Sequence, residues 1–439
     1  MQTPRRTSVA IAAVAASSLL LTACGSGSDS GSSDSGGGGA AAGGPVELSV
    51  ALFGTFGFDE VGLFEEYERL NPGVTIRYES TQGETNYWPA LQTRLASGSG
   101  VADVQGIEVA RIADVTTNQP DLWTDLRETP AADALDGYVE WKSAAATTED
   151  GAVLGLGTDI GPMGICYRTD LLQAAGLPTD PTELSARMQT WDDFLALGRE
   201  FQANAPAGAA WHDSAGGLFN AIISQEETLY SDASGEPVYD TNPVIRAAFD
   251  QAAQAGQNGL TAKLEQFLDP AWDQGFASGS FATIACPSWM VGYIKGKAGD
   301  AGAGLWNVTT LPNGEGGNWG GSYLGIPAVS EHKEEAGELI AWLTAPEQQA
   351  KVFTEVGNFP SRTEAIESVS ATTDEYFSGA PIGQIFSESA ESAPVQTMGP
   401  NDGAMEEAIV QALLSVETAG TSPEEAWNNA VTEIQNQIG

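Results

Sequence analysis

The sequence predicts an α/β protein of two lobes, and three observations carry that expectation. At 439 residues with 42% hydrophobic content, the chain holds more apolar material than one small core can use and enough for two. From Val46 onward, short runs of alternating apolar residues exchange with stretches of helical periodicity, the pattern of strands interleaved with helices. No internal repeat is apparent, so the elements are not copies of one unit.

In chain order, the first segment is a leader. Arg5 and Arg6 precede an apolar run from Val9 to Leu21, too short to span a bilayer comfortably and charged as a secretory signal is. It ends in Leu21-Thr22-Ala23-Cys24, which resembles a bacterial lipobox. That resemblance implies a signal peptide over residues 1–23, cleaved to leave a diacylglycerol thioether on Cys24, and two or three acyl chains hold a protein stably on a membrane. Residues 24–45 follow as a Gly/Ser-rich linker, a composition that buries too little to fold and reads as a flexible tether.

Val46, Leu48 and Val50 then alternate as a strand. Asp59 opens a helix with Val61, Phe64, Tyr67 and Leu70 on one face, and Asn71-Pro72-Gly73 stops it. Val74, Ile76 and Tyr78 alternate again. A second helix through Leu91 and Leu95 ends near Gly98, and Val101 to Val109 reads as a third buried strand. Glu149-Asp150-Gly151 is a turn leading into Val153 to Leu156, a hairpin entering a crossover. Thr190 caps a helix with Asp193 three residues on and Phe194, Leu197 and Phe201 inward. Ser330 starts another helix with Ala336, Leu339, Ile340 and Leu343 inward, and Pro346 opens the next.

Charge narrows the partner. Eighteen Lys+Arg against 59 Asp+Glu give a net charge of −41, a field that repels phosphate, so nucleic acid is excluded. No Gly-x-Gly-x-x-Gly follows the first strand, which speaks against a dinucleotide cofactor. With Cys24 lipidated, Cys166 and Cys286 are the remaining thiols, and an isolated pair outside the cell is most simply a disulfide. His212 and His332 are the only histidines, too few and too far apart for a zinc site. No metal or other cofactor is expected.

Several stretches then fall in a familiar order: CYRTDLLQAAGLP (Cys166 to Pro178), TWDDF (Thr190 to Phe194), FASGSFATIACPSW (Phe276 to Trp289), GGSYLGIP (Gly320 to Pro327) and EEAGELIAWLTAPEQQ (Glu334 to Gln349). Together they resemble the extracellular solute-binding proteins of carbohydrate ABC transporters, family 1 type, the group that includes maltose-binding protein. The resemblance runs through nearly all of the chain after residue 46. It implies a two-lobed periplasmic-binding-protein-like fold with a hinge and a ligand cleft between the lobes. Lobe 1 is expected over 46–156 plus 311–343 and lobe 2 over 157–310 plus 344–439. The hinge falls at Gly155 to Gly161, where glycines suit a segment whose backbone angles change on closure. The family's cysteine-free pattern is broken here, and a Cys166–Cys286 bond would staple lobe 2 alone. The implied function is that of a monomeric, non-enzymatic lipoprotein on the extracellular face of the membrane. It captures a mono- or oligosaccharide and delivers it to the permease subunits of an ABC importer.

A sugar offers apolar C–H faces and a rim of hydroxyls, so its site needs aromatic plates beside donors and acceptors. By the resemblance, Trp289 stacks on the ligand. Trp319 lies in a glycine-rich loop, Gly316 to Gly321, where backbone approaches a ligand closely. Glu108, at the end of a buried strand, and Asp159, in the hinge turn, point carboxylates into the cleft. Asn86 with Trp88, and Trp211 with His212, fall in loops where the family contacts ligand; Asn401 and Asp402 precede a long helix that lines lobe 2. Trp123, Trp272 and Trp342 belong to the core. Two other readings stay open: a solute-binding protein for a polyamine, an amino acid or iron, and a secreted glycoside hydrolase with one raised carboxyl facing another.

Overall fold

Strand β1 (Val46–Phe53) shows how the first lobe is built. Leu48, Val50 and Leu52 enter one core and Ala51 the opposite one, the two-residue alternation of a pleated strand covered on both faces. The computed structural model describes residues 44–438. The leader, Cys24 and the linker up to residue 43 lie outside the described residues.

β2 (Val74–Thr81) and β3 (Val104–Glu108) flank β1 in parallel. The later strands are β4 (Leu156–Gly157), β5 (Asp159–Ile160), β6 (Met163–Arg168), β7 (Ala210–His212), β8 (Phe281–Pro287), β9 (Trp306–Thr309), β10 (Ser322–Gly325) and β11 (Phe359–Pro360). One sheet has the order β2-β1-β3-β10-β4, the other β7-β8-β6-β9, and β5 pairs antiparallel with β11 between them. The chain therefore leaves the first sheet after β4, enters the second at β6, and returns between β9 and β10. Helix Pro346–Val356 sits at the seam: Val352 and Val356 pack in the core beside β1, and Phe353 in the core beside β6 and β8.

Element boundaries shift where a local signal was misjudged. The first helix spans Leu63–Leu70 and not the residues from Asp59, because Gly62 takes a left-handed φ of 71° just before it. Leu70, expected inward, is 53% exposed. Ser330 does not start its helix; it accepts from the His332 amide, and the helix is Lys333–Leu343. Val109 is no longer strand but the first residue of helix Val109–Asn118. Thr190 does cap Trp191–Asn204, accepting from the Asp193 amide at 3.1 Å.

Cys166 and Cys286 form a disulfide across the neighbouring strands β6 and β8, with Cα atoms 5.3 Å apart. Both are fully buried with Ile284 and Trp306 in one core. Trp123 and Trp272 are buried, and Trp342 packs on Tyr67. Among the described residues, no helix is long and apolar enough to cross a membrane.

Candidate functional site

The edges of both sheets and the crossing segments open onto one cavity of about 360 Å³. An aromatic row runs along it. Trp289 lies two residues past the end of β8, and its indole Nε1 donates to the Trp319 carbonyl at 3.0 Å, with the ring centroids 5.9 Å apart. Gly320 makes that approach possible: its φ is 85°, and a Cβ there would lie 3.0 Å from Trp289 Nε1, so both the backbone and the space call for glycine. Phe267 extends the row, 6.0 Å from Trp289 and 5.8 Å from Tyr293.

Carboxylates line the same cavity. Glu108 ends β3 and caps the helix that follows, one oxygen accepting from the Ala110 amide at 2.6 Å. Burial, with Glu84 and Glu406 nearby, pushes its carboxyl up to about 8. Asp159 in β5 accepts from Thr158 Oγ1 at 2.7 Å and the Ser322 amide at 2.9 Å. Burial raises it and Lys142 opposes the rise. Lys142 stands behind Asp159, fully buried, its Nζ 3.8 Å from the Tyr323 ring centroid and without a hydrogen-bond partner. Burial pulls this ammonium down to about 8.

The opposite wall comes from helix Asp402–Thr418. Asp402 accepts from Ser231 Oγ and the Gly399 amide, and burial pushes it up to about 6. One turn on, Glu406 accepts from Asn220 Nδ2 at 2.9 Å and burial pushes it up to about 7. Arg111, one turn after Glu108, donates to both oxygens of Glu84 at 2.9 and 3.2 Å. Its guanidinium lies against Gly403, where a Cβ would fall 2.5 Å from Nη1. A side chain from the first sheet's wall thus rests on a helix of the second.

Of the residues the sequence nominated, the structure brings Trp289, Trp319, Glu108, Asp159 and Asp402 to the cavity wall. The others lie elsewhere. Trp88 is one layer back, 5.8 Å behind Arg111. Asn86 is exposed on the same helix, Glu84–Ser97, and does not line the cavity. Trp211 and His212, nominated as loop residues, form β7: Trp211 is wedged between Phe194 and Phe201, and burial pushes the His212 imidazole down to about 3. Asn401 precedes its helix outside the lining. Sequence reasoning missed Arg111, Asn220, Tyr230, Phe267 and Glu406, all of them lining residues. Helical spacing from Glu108 to Arg111 and from Asp402 to Glu406 was the available signal for two of them. Phe267 gave none, since it sits in a loop at a left-handed φ of 66°.

A family model for bacterial extracellular solute-binding proteins matches residues 62–378. This chain belongs to that family. Within it, a crystal structure described as an extracellular solute-binding protein family 1 is 41% identical, covering 90% of this chain and 100% of the other with a TM-score of 0.75. The lactose-binding protein of Rhizobium radiobacter is 27% identical over 350 residues, 76% of this chain and 79% of that protein. The ABC transporter associated binding protein from B. animalis subsp. lactis, solved with beta-1,6-galactobiose, is 18% identical and superposes with a TM-score of 0.75 over 89% of this chain and 96% of its own. The two-lobed fold of this solute-binding protein is thereby shared across distant sequences.

Proposed function

We propose that this solute-binding protein captures a mono- or oligosaccharide between its lobes and delivers it to an ABC importer without chemical change. One observation carries the reading: an aromatic row from Trp319 through Trp289 and Phe267 to Tyr293 lines a single cavity together with Glu108 and Asp159. Plates take the C–H faces of a sugar and carboxylates accept its hydroxyl hydrogens. The relative named for lactose and the neighbour solved with galactobiose support it. We assign 46–156 with 311–343 to one lobe and 157–310 with 344–439 to the other, closing about residues 155–161 on Trp289, Trp319, Glu108, Asp159 and Asp402 as ligand contacts.

The test is a thermal-shift screen of the chain from residue 25 against mono- and oligosaccharides. A ligand at about 100 times its Kd adds ~2.7 kcal/mol to stability. New reducing ends released from a bound oligosaccharide would overturn the non-enzymatic reading and favour a hydrolase. We further propose that the protein works as a monomer held on the outer face of the membrane by lipid on Cys24, supported by Leu21-Thr22-Ala23-Cys24. Cys24→Ala is expected to move the protein from the membrane fraction to the medium, and unchanged retention would count against the anchor.

A further inference from the structure

The cavity carries more negative charge than its own cations answer. Glu84, Glu108, Asp159, Asp402 and Glu406 all line it, and Arg111 is the one basic residue in the lining among the described residues. Both oxygens of Glu84 already engage Arg111. Lys142 stands behind Asp159 rather than in the wall. Glu108 and Glu406, one from each side of the cleft, share this same guanidinium with Glu84, one cation for three acids.

The hydrogen-bond inventory leans the same way. Asn220 donates its Nδ2 to Glu406, which fixes the amide orientation and leaves Asn220 Oδ1 buried with no donor. The Tyr230 hydroxyl, on a residue 2% exposed, also has no partner and faces Glu406 and Asp402. Asn358 Oδ1, in the same lining, is unpartnered while its Nδ2 donates to the Thr55 carbonyl. The unmet amide oxygens are acceptors. A neutral hydroxyl brings one hydrogen together with its own lone pairs, whereas an ammonium brings three hydrogens, no acceptor and a positive charge.

We propose that the sugar taken by this cleft carries a free amino group, and that its ammonium seats against Glu406 beside Asn220 Oδ1 and Tyr230 Oη. This rests on the sugar-binding reading of the same cavity and names the class of sugar. A metal ion does not fill the role, because no group of three or more His, Cys, Asp or Glu among the described residues is placed to hold one. The raised carboxyls of Glu108 and Glu406 accord with acids that outnumber the one cation they share, burial being the first cause in each and Arg111 opposing it.

Matched pairs test it: lactose against galactosyl-glucosamine, and cellobiose against the glucosamine dimer with free amines, titrated calorimetrically into the chain from residue 25 at pH 7, where the sugar amine is largely protonated. The amino member of a pair is expected to bind at least tenfold tighter, and Glu406→Gln, which keeps shape and loses charge, is expected to erase most of that preference. A neutral member that binds as tightly as its amine overturns the inference and leaves the sugar reading standing. An amine preference undiminished in Glu406→Gln overturns the placement. If no sugar of either kind binds in the wider screen, the sugar reading falls and the inference with it.

Discussion

Trp289 is oriented before any ligand arrives. Its only N–H is committed to the Trp319 carbonyl, so what it offers a ligand is the flat of the ring. Truncating it removes a plate and frees a carbonyl at once. Trp289→Ala or Trp319→Ala is expected to cost on the order of 2–4 kcal/mol of ligand affinity by calorimetric titration, the scale of buried aromatic anchors. Trp289→Phe, which keeps a plate, should cost less; equal affinity in all three would move the ligand elsewhere. Asp159 is held differently, by two donors at one oxygen and the unpartnered Lys142 ammonium behind it. Such a pair supports itself: either charge alone in that burial is costly, and removing both is less so. A cycle of Lys142→Met, Asp159→Asn and the double variant is expected to show a coupling of about 0.5–3 kcal/mol in unfolding free energy. Additive effects would mean that the two charges do not sense each other.

At the scale of elements, what the sequence made legible was local. The alternation of β1 and β2, the helix stop at Gly98 and the cap at Thr190 each depend on a few neighbouring residues, and the structure has them. Glu108 and Asp159 were legible for the same reason, since each ends or follows a short buried run. Trp211 and His212 were misread because β7 is only three residues long, and the burial of Trp211 comes from Phe194 and Phe201 on the helix that precedes it. Helical spacing could have named Arg111 and Glu406 singly, but their meeting was hidden: it depends on helices 109–118 and 402–418 facing each other across the cleft. The disulfide sits between these cases, since two thiols suggested a pair and only the sheet order made β6 and β8 neighbours. It closes a loop of 120 residues. Cys166→Ala with Cys286→Ala is expected to lower stability by about 2–4 kcal/mol in denaturant titration. Ligand affinity should hardly change, because neither sulfur lines the cavity. A large affinity loss at unchanged stability would contradict this assignment.

The whole molecule carries its buried acids as a single pH-dependent load. Burial pushes Glu108 up to about 8, Glu406 and Glu417 to about 7, and Asp402 and Asp213 to about 6. Unfolded, these groups release their protons near their ordinary values of about 4. Between roughly pH 5 and the raised values the native chain therefore holds more protons than the unfolded one, and stability falls as pH rises through that window. His212 acts in the opposite sense: pushed down to about 3, it stays neutral in the native chain while the unfolded imidazole takes a proton below about 6.5. One such group is outweighed by five carboxyls, and its influence ends above about pH 6.5, where Glu108, Glu406 and Glu417 still act. Lys142, pulled down to about 8 by burial, is half deprotonated at that pH while the unfolded lysine keeps its charge, so it offsets the carboxyls only at the top of the window. A net charge of −41 adds self-repulsion that also grows as acids ionise. The ligand-free chain is therefore expected to melt at a higher temperature at pH 5.5 than at pH 8. The double substitution Glu108→Gln with Glu406→Gln should flatten that slope, since those two acids account for part of it. Melting temperatures that climb steadily from pH 5.5 to 8 in the unmodified protein would show that these carboxyls are solvated or paired, and would remove the uncompensated charge on which the amino-sugar inference draws.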